Sequence, residues 1–370
     1  MVKKTFKALL LGITLIFIVG VIFVSFSPQF GQPPKGEDAQ KVEESSNFRE
    51  GQFQNLIETK MDYSLSNIIG MLKETSNAIN TSPSSAIETA FDSSSPNPTD
   101  SILSITWYGH SAILLELAGQ RIFLDPMLGD AASPLPIFGP RFGNNPSFDI
   151  DQIGDLDVVV FSHDHYDHLD YPTIKAIKDR VGHFIVPLGL GSHLRSWGVE
   201  PKRITELDWW ETTTISSFSY TAAPARHFSG RGIGDSNSTL WASWVIKNET
   251  HSLYFSGDGG YGPHFKEIGE KHGPFDFAMM ECGQYNKRWE AIHMMPEQTV
   301  QATIDLKAER MMPVHWGAFA LSPHPWYEPA ERVKIAAEKQ NVQLVLPQIG
   351  KRISPLTYAS NEIYWWRLVD

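Results

Sequence analysis

The stretch His163-Asp164-His165-Tyr166-Asp167-His168, HDHYDH, packs three histidines and two aspartates into six residues. Just before it runs Asp157-Val158-Val159-Val160-Phe161-Ser162, DVVVFS, a short apolar run of the kind expected for a strand buried on both faces. Layered α/β folds place their chemistry at such strand ends. Burying this many imidazoles and carboxylates without a partner is costly, and a metal ion removes the cost. Imidazole and carboxylate without thiolate suit zinc, with iron or manganese as alternatives. His163, His165, Asp167 and His168 would saturate one tetrahedral ion under strain. Divided as His163 with His165 and Asp167 with His168, they leave two open ions that need further ligands.

Candidates for those ligands stand at the ends of other predicted strands. They are His227 in PARHFSG, Asp258 in FSGDGGYG and His315 in PVHWGAF. Taken singly, any of the 13 histidines is an ordinary hydrogen-bonding residue, and GDGG is an ordinary turn. The case rests on their pattern.

Around these residues the texture is α/β from about residue 101 onward. SILSITWYGHSAILLEL alternates like a strand, and GQRIFLDP reads as its hairpin partner with Gly119 at the turn. GHFIVP, HSLYFSGD, FDFAMME and MMPVHWG read as strands. YPTIKAIKDR, GPHFKEIGEKHG and PEQTVQATIDLKAERM read as helices, with Pro172 and Pro296 near their starts. Interleaved strands and helices predict α/β layers.

The first hundred residues differ. Lys3, Lys4 and Lys7 precede an uncharged apolar run from Ala8 to Phe26, close to the ~20 residues of a membrane span. The run is read as an uncleaved single-pass anchor rather than a cleaved secretory signal, with the N-terminus inside and the domain outside the cytoplasm. Residues 27–100 read as a polar linker or stalk with one short amphipathic helix, in which Leu65, Ile68, Ile69 and Leu72 share a face. Residues 101–370 form the expected catalytic domain.

Composition narrows the function classes. Of the 370 residues, 42 % are apolar and 20 % charged, as in an ordinary globular protein. A net charge of −11 without a basic stretch argues against nucleic acid as partner. The one cysteine, Cys282, excludes an internal disulfide and any thiolate zinc cage.

HDHYDH is the H-x-H-x-D-H signature, and with WYGHSAILLEL, FLDPML, HFSGRG, SGDGGYG and MMPVHWGAFAL it resembles the metallo-β-lactamase superfamily. Within it, the order of motifs is similar to the N-acyl-phosphatidylethanolamine-hydrolysing phospholipase D family and the related ascorbate-phosphate lactonases. The resemblance covers residue 101 to the C-terminus. It implies an αββα sandwich with two zinc ions at one edge. One ion would take His163, His165 and His227; the other would take Asp167, His168 and His315. Asp258 would bridge them together with a hydroxide. Asp125 in LDP would orient the ligand loop. His293 in AIHMMPE would stand near the substrate, although the segment from Cys282 to His293 departs from the phospholipase pattern.

The implied activity is metal-dependent hydrolysis of a phospholipid phosphodiester, with a lactone or another anionic ester as the alternative substrate. Arg226 and Arg231, flanking His227, are candidate phosphate contacts. Trp326, Tyr327 and the apolar loop SPLPIFGPRF either line a substrate pocket or pack in the core. A nuclease of the same superfamily would be expected to add a basic patch. A non-catalytic, metal-stabilised envelope protein would be expected to have lost ligands, and all seven are present.

Overall fold

The computed structural model describes residues 2–87, 89, 102–143, 148, 150–359 and 364–369. Two seven-stranded sheets form its centre. The first runs, in spatial order, Arg352–Ile353, Ser104–Trp107, Ile113–Leu117, Gln120–Leu124, Leu156–Val160, Val181–Pro187 and Ile204–Leu207. The second runs Gln343–Leu344, Arg310–Val314, Phe277–Glu281, Ser252–Phe255, Ser243–Lys247, Phe218–Ala223 and Thr212–Ile215. Each sheet is part antiparallel and part parallel, and the parallel pairs are joined through helices.

Strand periodicity sorts the side chains into layers. Phe277 and Met279 join the core shared by both sheets, while Ala278 and Met280 face the other way. There they meet Phe265, Ile268, Val300 and Val333 from helices His264–Lys271, Pro296–Asp305 and Glu328–Gln340. Ile174, Ile177 and Leu194, from helices Tyr171–Ile177 and Gly191–Ser196, belong to the core that contains the first sheet. The α/β class and the metallo-β-lactamase layering are therefore as the sequence implies.

Local signals account for several element boundaries. Ala118 and Gly119 both have positive φ (51° and 75°), as a two-residue hairpin turn between Leu117 and Gln120 requires. Asp170 caps helix Tyr171–Ile177 by accepting from the Thr173 N–H at 2.9 Å, with Pro172 in the first turn.

The N-terminal run does form a helix, Val2–Phe26. Among the described residues, however, no helix is long and apolar enough to cross a membrane. The expected single-pass anchor, and with it the membrane as a partner and the placement of the domain outside, is overturned. The end of the helix is tied to the domain instead. The Phe23 ring meets Phe30 edge-on at 5.6 Å, and Phe30 meets Tyr166 at 6.1 Å.

The stretch read as linker makes many contacts in its described part. Val42 and Phe53 are fully buried in the main core. Ser45 Oγ donates to Asp208 at 2.6 Å, and Trp197 Nε1 donates to the Pro28 carbonyl at 2.7 Å. The amphipathic helix forms as Leu65–Asn77, with Leu65, Ile69 and Leu72 exposed, and Glu74 pairs with Arg288 at 2.8 Å. The Ser-rich segment around 90–101 lies outside the described residues.

Candidate metal centre

The parallel strand Leu156–Val160 of the first sheet delivers HDHYDH to one edge of the two sheets, and three strands of the second sheet bring the remaining donors there. His227 follows strand Phe218–Ala223, Asp258 follows Ser252–Phe255, and His315 follows Arg310–Val314. Gly257 makes this approach possible. Its φ is 55°, and a Cβ there would lie 2.6 Å from Ser162 Cβ, so a side chain would push the Asp258 turn off the ligand loop.

Two clusters of donor atoms result. In the first, His165 Nδ1 lies 2.9 Å from His163 Nε2 and 3.2 Å from His227 Nε2. In the second, Asp167 Oδ2 lies 3.6 Å from His168 Nε2 and 3.2 Å from His315 Nε2. Asp258 Oδ2 stands between them. It is 3.9 Å from both His163 Nε2 and His227 Nε2, and 3.1 Å from both His168 Nε2 and His315 Nε2. All seven expected ligand residues are thus brought together, and all but His165 and Asp167, which are part-buried, are almost wholly buried at the side chain.

The second nitrogens are held from behind. His168 Nδ1 donates to Asp125 Oδ2 at 2.7 Å. Ser162 donates its N–H to Asp125 Oδ1 (2.7 Å) and its hydroxyl to Oδ2 (2.5 Å). The Ser162 oxygen can then accept from His163 Nδ1 at 2.9 Å. His227 Nδ1 donates to the Ile292 carbonyl at 3.0 Å. Each contact fixes the tautomer that leaves Nε2 unprotonated toward the cluster.

The electrostatics fit a bound cation. Burial opposes charge on Asp258, but His168 and His315 outweigh it and hold its carboxyl well below the usual range. Burial likewise lowers the His168 and His315 imidazoles. Facing carboxylates reverse this, lifting His168 well above its ordinary value and His315 to about 9. Burial and neighbouring imidazoles keep His163 and His227 neutral, the form that binds metal. Yet His168 Nε2 and Asp258 Oδ1 find no hydrogen-bond partner among the described residues. A divalent cation would supply the charge that protons on His168 and His315 otherwise provide, and would engage both orphaned atoms.

His293 stands at the rim, its ring stacked on His315 at 5.2 Å and its side chain 13 % exposed. Three residues at the site go beyond the motif reading. His110, in the loop between strands Ser104–Trp107 and Ile113–Leu117, places Nε2 2.9 Å from Asp167 Oδ2. Glu281, fully buried at a strand end, faces His293 Nδ1 at 3.2 Å and His315 Nδ1 at 3.5 Å and accepts from the Met294 N–H at 2.9 Å. Asn55 exchanges two hydrogen bonds with the His227 backbone from the supposed linker. The position of Glu281 at the end of FAMME was a usable signal, whereas Asn55 had none.

Other sequence candidates do not reach the site. Arg226 binds Thr59 and the Glu58 and Tyr261 carbonyls, and Arg231 binds the Gln29, Asp164 and Leu169 carbonyls. Neither is directed at a substrate phosphate. Trp326 packs among Trp316 and Trp365, at 6.3 and 6.0 Å.

Comparison with known proteins gives the same assignment. The β-lactamase superfamily domain matches residues 120–316, a span that holds all seven donors and Asp125. An uncharacterized protein of Mycobacterium tuberculosis is 41 % identical over 348 residues, covering 90 % of this chain and 91 % of that protein. The N-acyl-phosphatidylethanolamine-hydrolyzing phospholipase D 1 of Caenorhabditis elegans is 34 % identical over 249 residues, 64 % of this chain and 70 % of that protein. Among solved structures, the metallo hydrolase Igni18 of Ignicoccus hospitalis shares the fold at a TM-score of 0.53 and 20 % identity, covering 68 % of this chain and 97 % of that one. With its donor set at the strand ends of this fold and inside the matched span, the chain belongs to the metallo-β-lactamase superfamily of metal-dependent hydrolases.

Proposed function

We propose that the chain is a di-zinc phosphodiesterase that cleaves a phospholipid in the manner of a phospholipase D. The observation that carries this reading is the position of Asp258 Oδ2 between two donor clusters, within 3.9 Å of four imidazole nitrogens. In this reading His163, His165 and His227 hold one ion, Asp167, His168 and His315 hold the other, and Asp258 serves both. Imidazole and carboxylate donors without thiolate suit zinc, and would also accept iron or manganese.

A pair of bound divalent ions supplies an activated water at neutral pH and neutralises charge on the attacked group. The chain's own residues do the rest. Asp125 and Ser162 hold the ligand tautomers, and Glu281 faces His293 Nδ1 at 3.2 Å, which leaves Nε2 for the substrate. His293 is then placed to hold or pass a proton at a leaving oxygen. The lipid assignment is supported by the phospholipase D activity named for the C. elegans relative. It is also supported by Ile137, Phe138 and Ile233, which are 78 %, 60 % and 85 % exposed on loops flanking the ligand segments.

The test is elemental analysis joined to a hydrolysis panel of N-acylated phosphatidylethanolamine, a short-chain phosphodiester and a lactone. Two ions per chain and release of a phosphatidic acid product are expected. Fewer than two ions in protein purified without chelator, or activity confined to the lactone, would overturn it.

A further inference from the structure

Beside the ligand loop lies a cavity of about 290 Å³ lined by Gln29, Leu128, Arg141, Tyr166, Tyr171 and Arg231. Tyr166 belongs to HDHYDH itself, so the cavity and the donor clusters share one loop. Arg141 is 8 % exposed. Its Nε donates to the Gly129 carbonyl at 2.9 Å and its Nη2 to the Met127 carbonyl at 2.8 Å. The guanidinium lies 4.6 Å over the Phe319 ring, and that ring meets His110 at 5.1 Å. Nη1 has no hydrogen-bond partner among the described residues. A buried, charged donor without an acceptor is costly, so the site calls for an acceptor that the described chain does not supply.

The other charged groups on the cavity wall leave that demand unmet. Arg231 spends its donors on the Gln29, Asp164 and Leu169 carbonyls. Asp170 Oδ2 accepts from both Thr173 N and Thr173 Oγ1 in capping its helix. Asp130 is exposed and solvated. Gln29 and Tyr171 also line the cavity wall.

We propose that this cavity is an oxyanion subsite, in which Arg141 Nη1 donates to one oxygen of a phosphate or carboxylate held next to the metal centre. A guanidinium positioned by two carbonyls, with one N–H left over, offers such an oxygen a short, charge-assisted bond. The inference goes beyond the phosphodiesterase reading, since the subsite binds an anion and does not cleave it. The anion is either a free ion or a group carried by the substrate.

Isothermal titration of the metal-loaded full chain tests this with two probes, inorganic phosphate and monomeric dihexanoyl phosphatidic acid. Two phosphate-binding events are expected, one at the metals and one at Arg141. Arg141→Met should weaken the second at least tenfold and leave the first unchanged, while Arg141→Lys keeps part of it. Loss of an event for phosphate alone identifies a free-anion site, and loss for both probes identifies recognition of a head group. A single event in the native protein, or two events unaltered in Arg141→Met, overturns the proposal and leaves Nη1 to solvent. Should Arg141→Met fail to fold, Gln29→Trp narrows the cavity with Arg141 in place and must weaken the same event. An Arg141-dependent event in a protein that hydrolyses no phosphodiester would count against the phosphodiesterase reading alone.

Discussion

Replacing Asp125 by asparagine should unload the metal centre without unfolding the chain. The Asp125 carboxylate serves three donors, the Ser162 N–H at 2.7 Å, the Ser162 hydroxyl at 2.5 Å and His168 Nδ1 at 2.7 Å. Asparagine keeps one oxygen for the Ser162 N–H and presents an amide N–H where Oδ2 was. His168 Nδ1 must then accept, which moves its proton to Nε2, the nitrogen 3.1 Å from Asp258. The Ser162 hydroxyl loses its acceptor and turns toward His163 Nδ1, 2.9 Å away, so His163 changes tautomer as well. One substitution thereby blocks a donor in each cluster. Loss of such a supporting partner lowers metal affinity by about 10–100-fold, and here both ions are affected. Each hydrogen bond lost to the charged acceptor costs about 1.5–3 kcal/mol of stability, which a domain of this size tolerates. The backbone is not perturbed, because Asp125 has φ 38° and asparagine accepts the left-handed region. Competition with a fluorescent zinc chelator, alongside far-UV circular dichroism, measures the effect. Affinity within twofold of native for both ions would refute the tautomer argument.

Three further outcomes are expected. Asp258→Ala should lose at least one ion and most hydrolysis while the domain stays folded, and near-normal turnover with both ions would exclude Asp258 as the shared ligand. Arg231→Met should cost about 2–4 kcal/mol, since buried Arg231 ties the Gln29, Asp164 and Leu169 carbonyls together around the ligand loop. An unchanged urea midpoint would count against that role. Burial, followed by Arg226, pushes the His264 imidazole down to about 3. The native state keeps His264 neutral where the unfolded chain, with a pKa near ~6.5, takes up a proton. Stability should therefore fall as pH drops from about 6.5 toward 3, with no contribution from His264 above that window. His264→Gln should flatten this limb, and an unaltered slope would show that other groups set it.

The sequence by itself determined what is local. A strand feeding HDHYDH, a turn at Gly119, and prolines opening the helices at 172 and 296 are each read from neighbouring residues, because backbone sterics and side-chain chemistry act within a few positions. The seven donors were legible because metal binding demands particular residue types, and these stood at predicted strand ends. Tertiary structure alone decided what stands behind them. Asn55 supports His227 across 172 positions, Arg231 reaches back to Gln29 across 202, and neither contact leaves a pattern in either segment. The apolar run at the N-terminus shows the same limit from the other side. Its composition suggested a span, yet the end of its helix is joined through Phe23 and Phe30 to Tyr166 in the ligand loop. Hydropathy reports how strongly a side chain avoids water; which surface receives it depends on how distant segments dock.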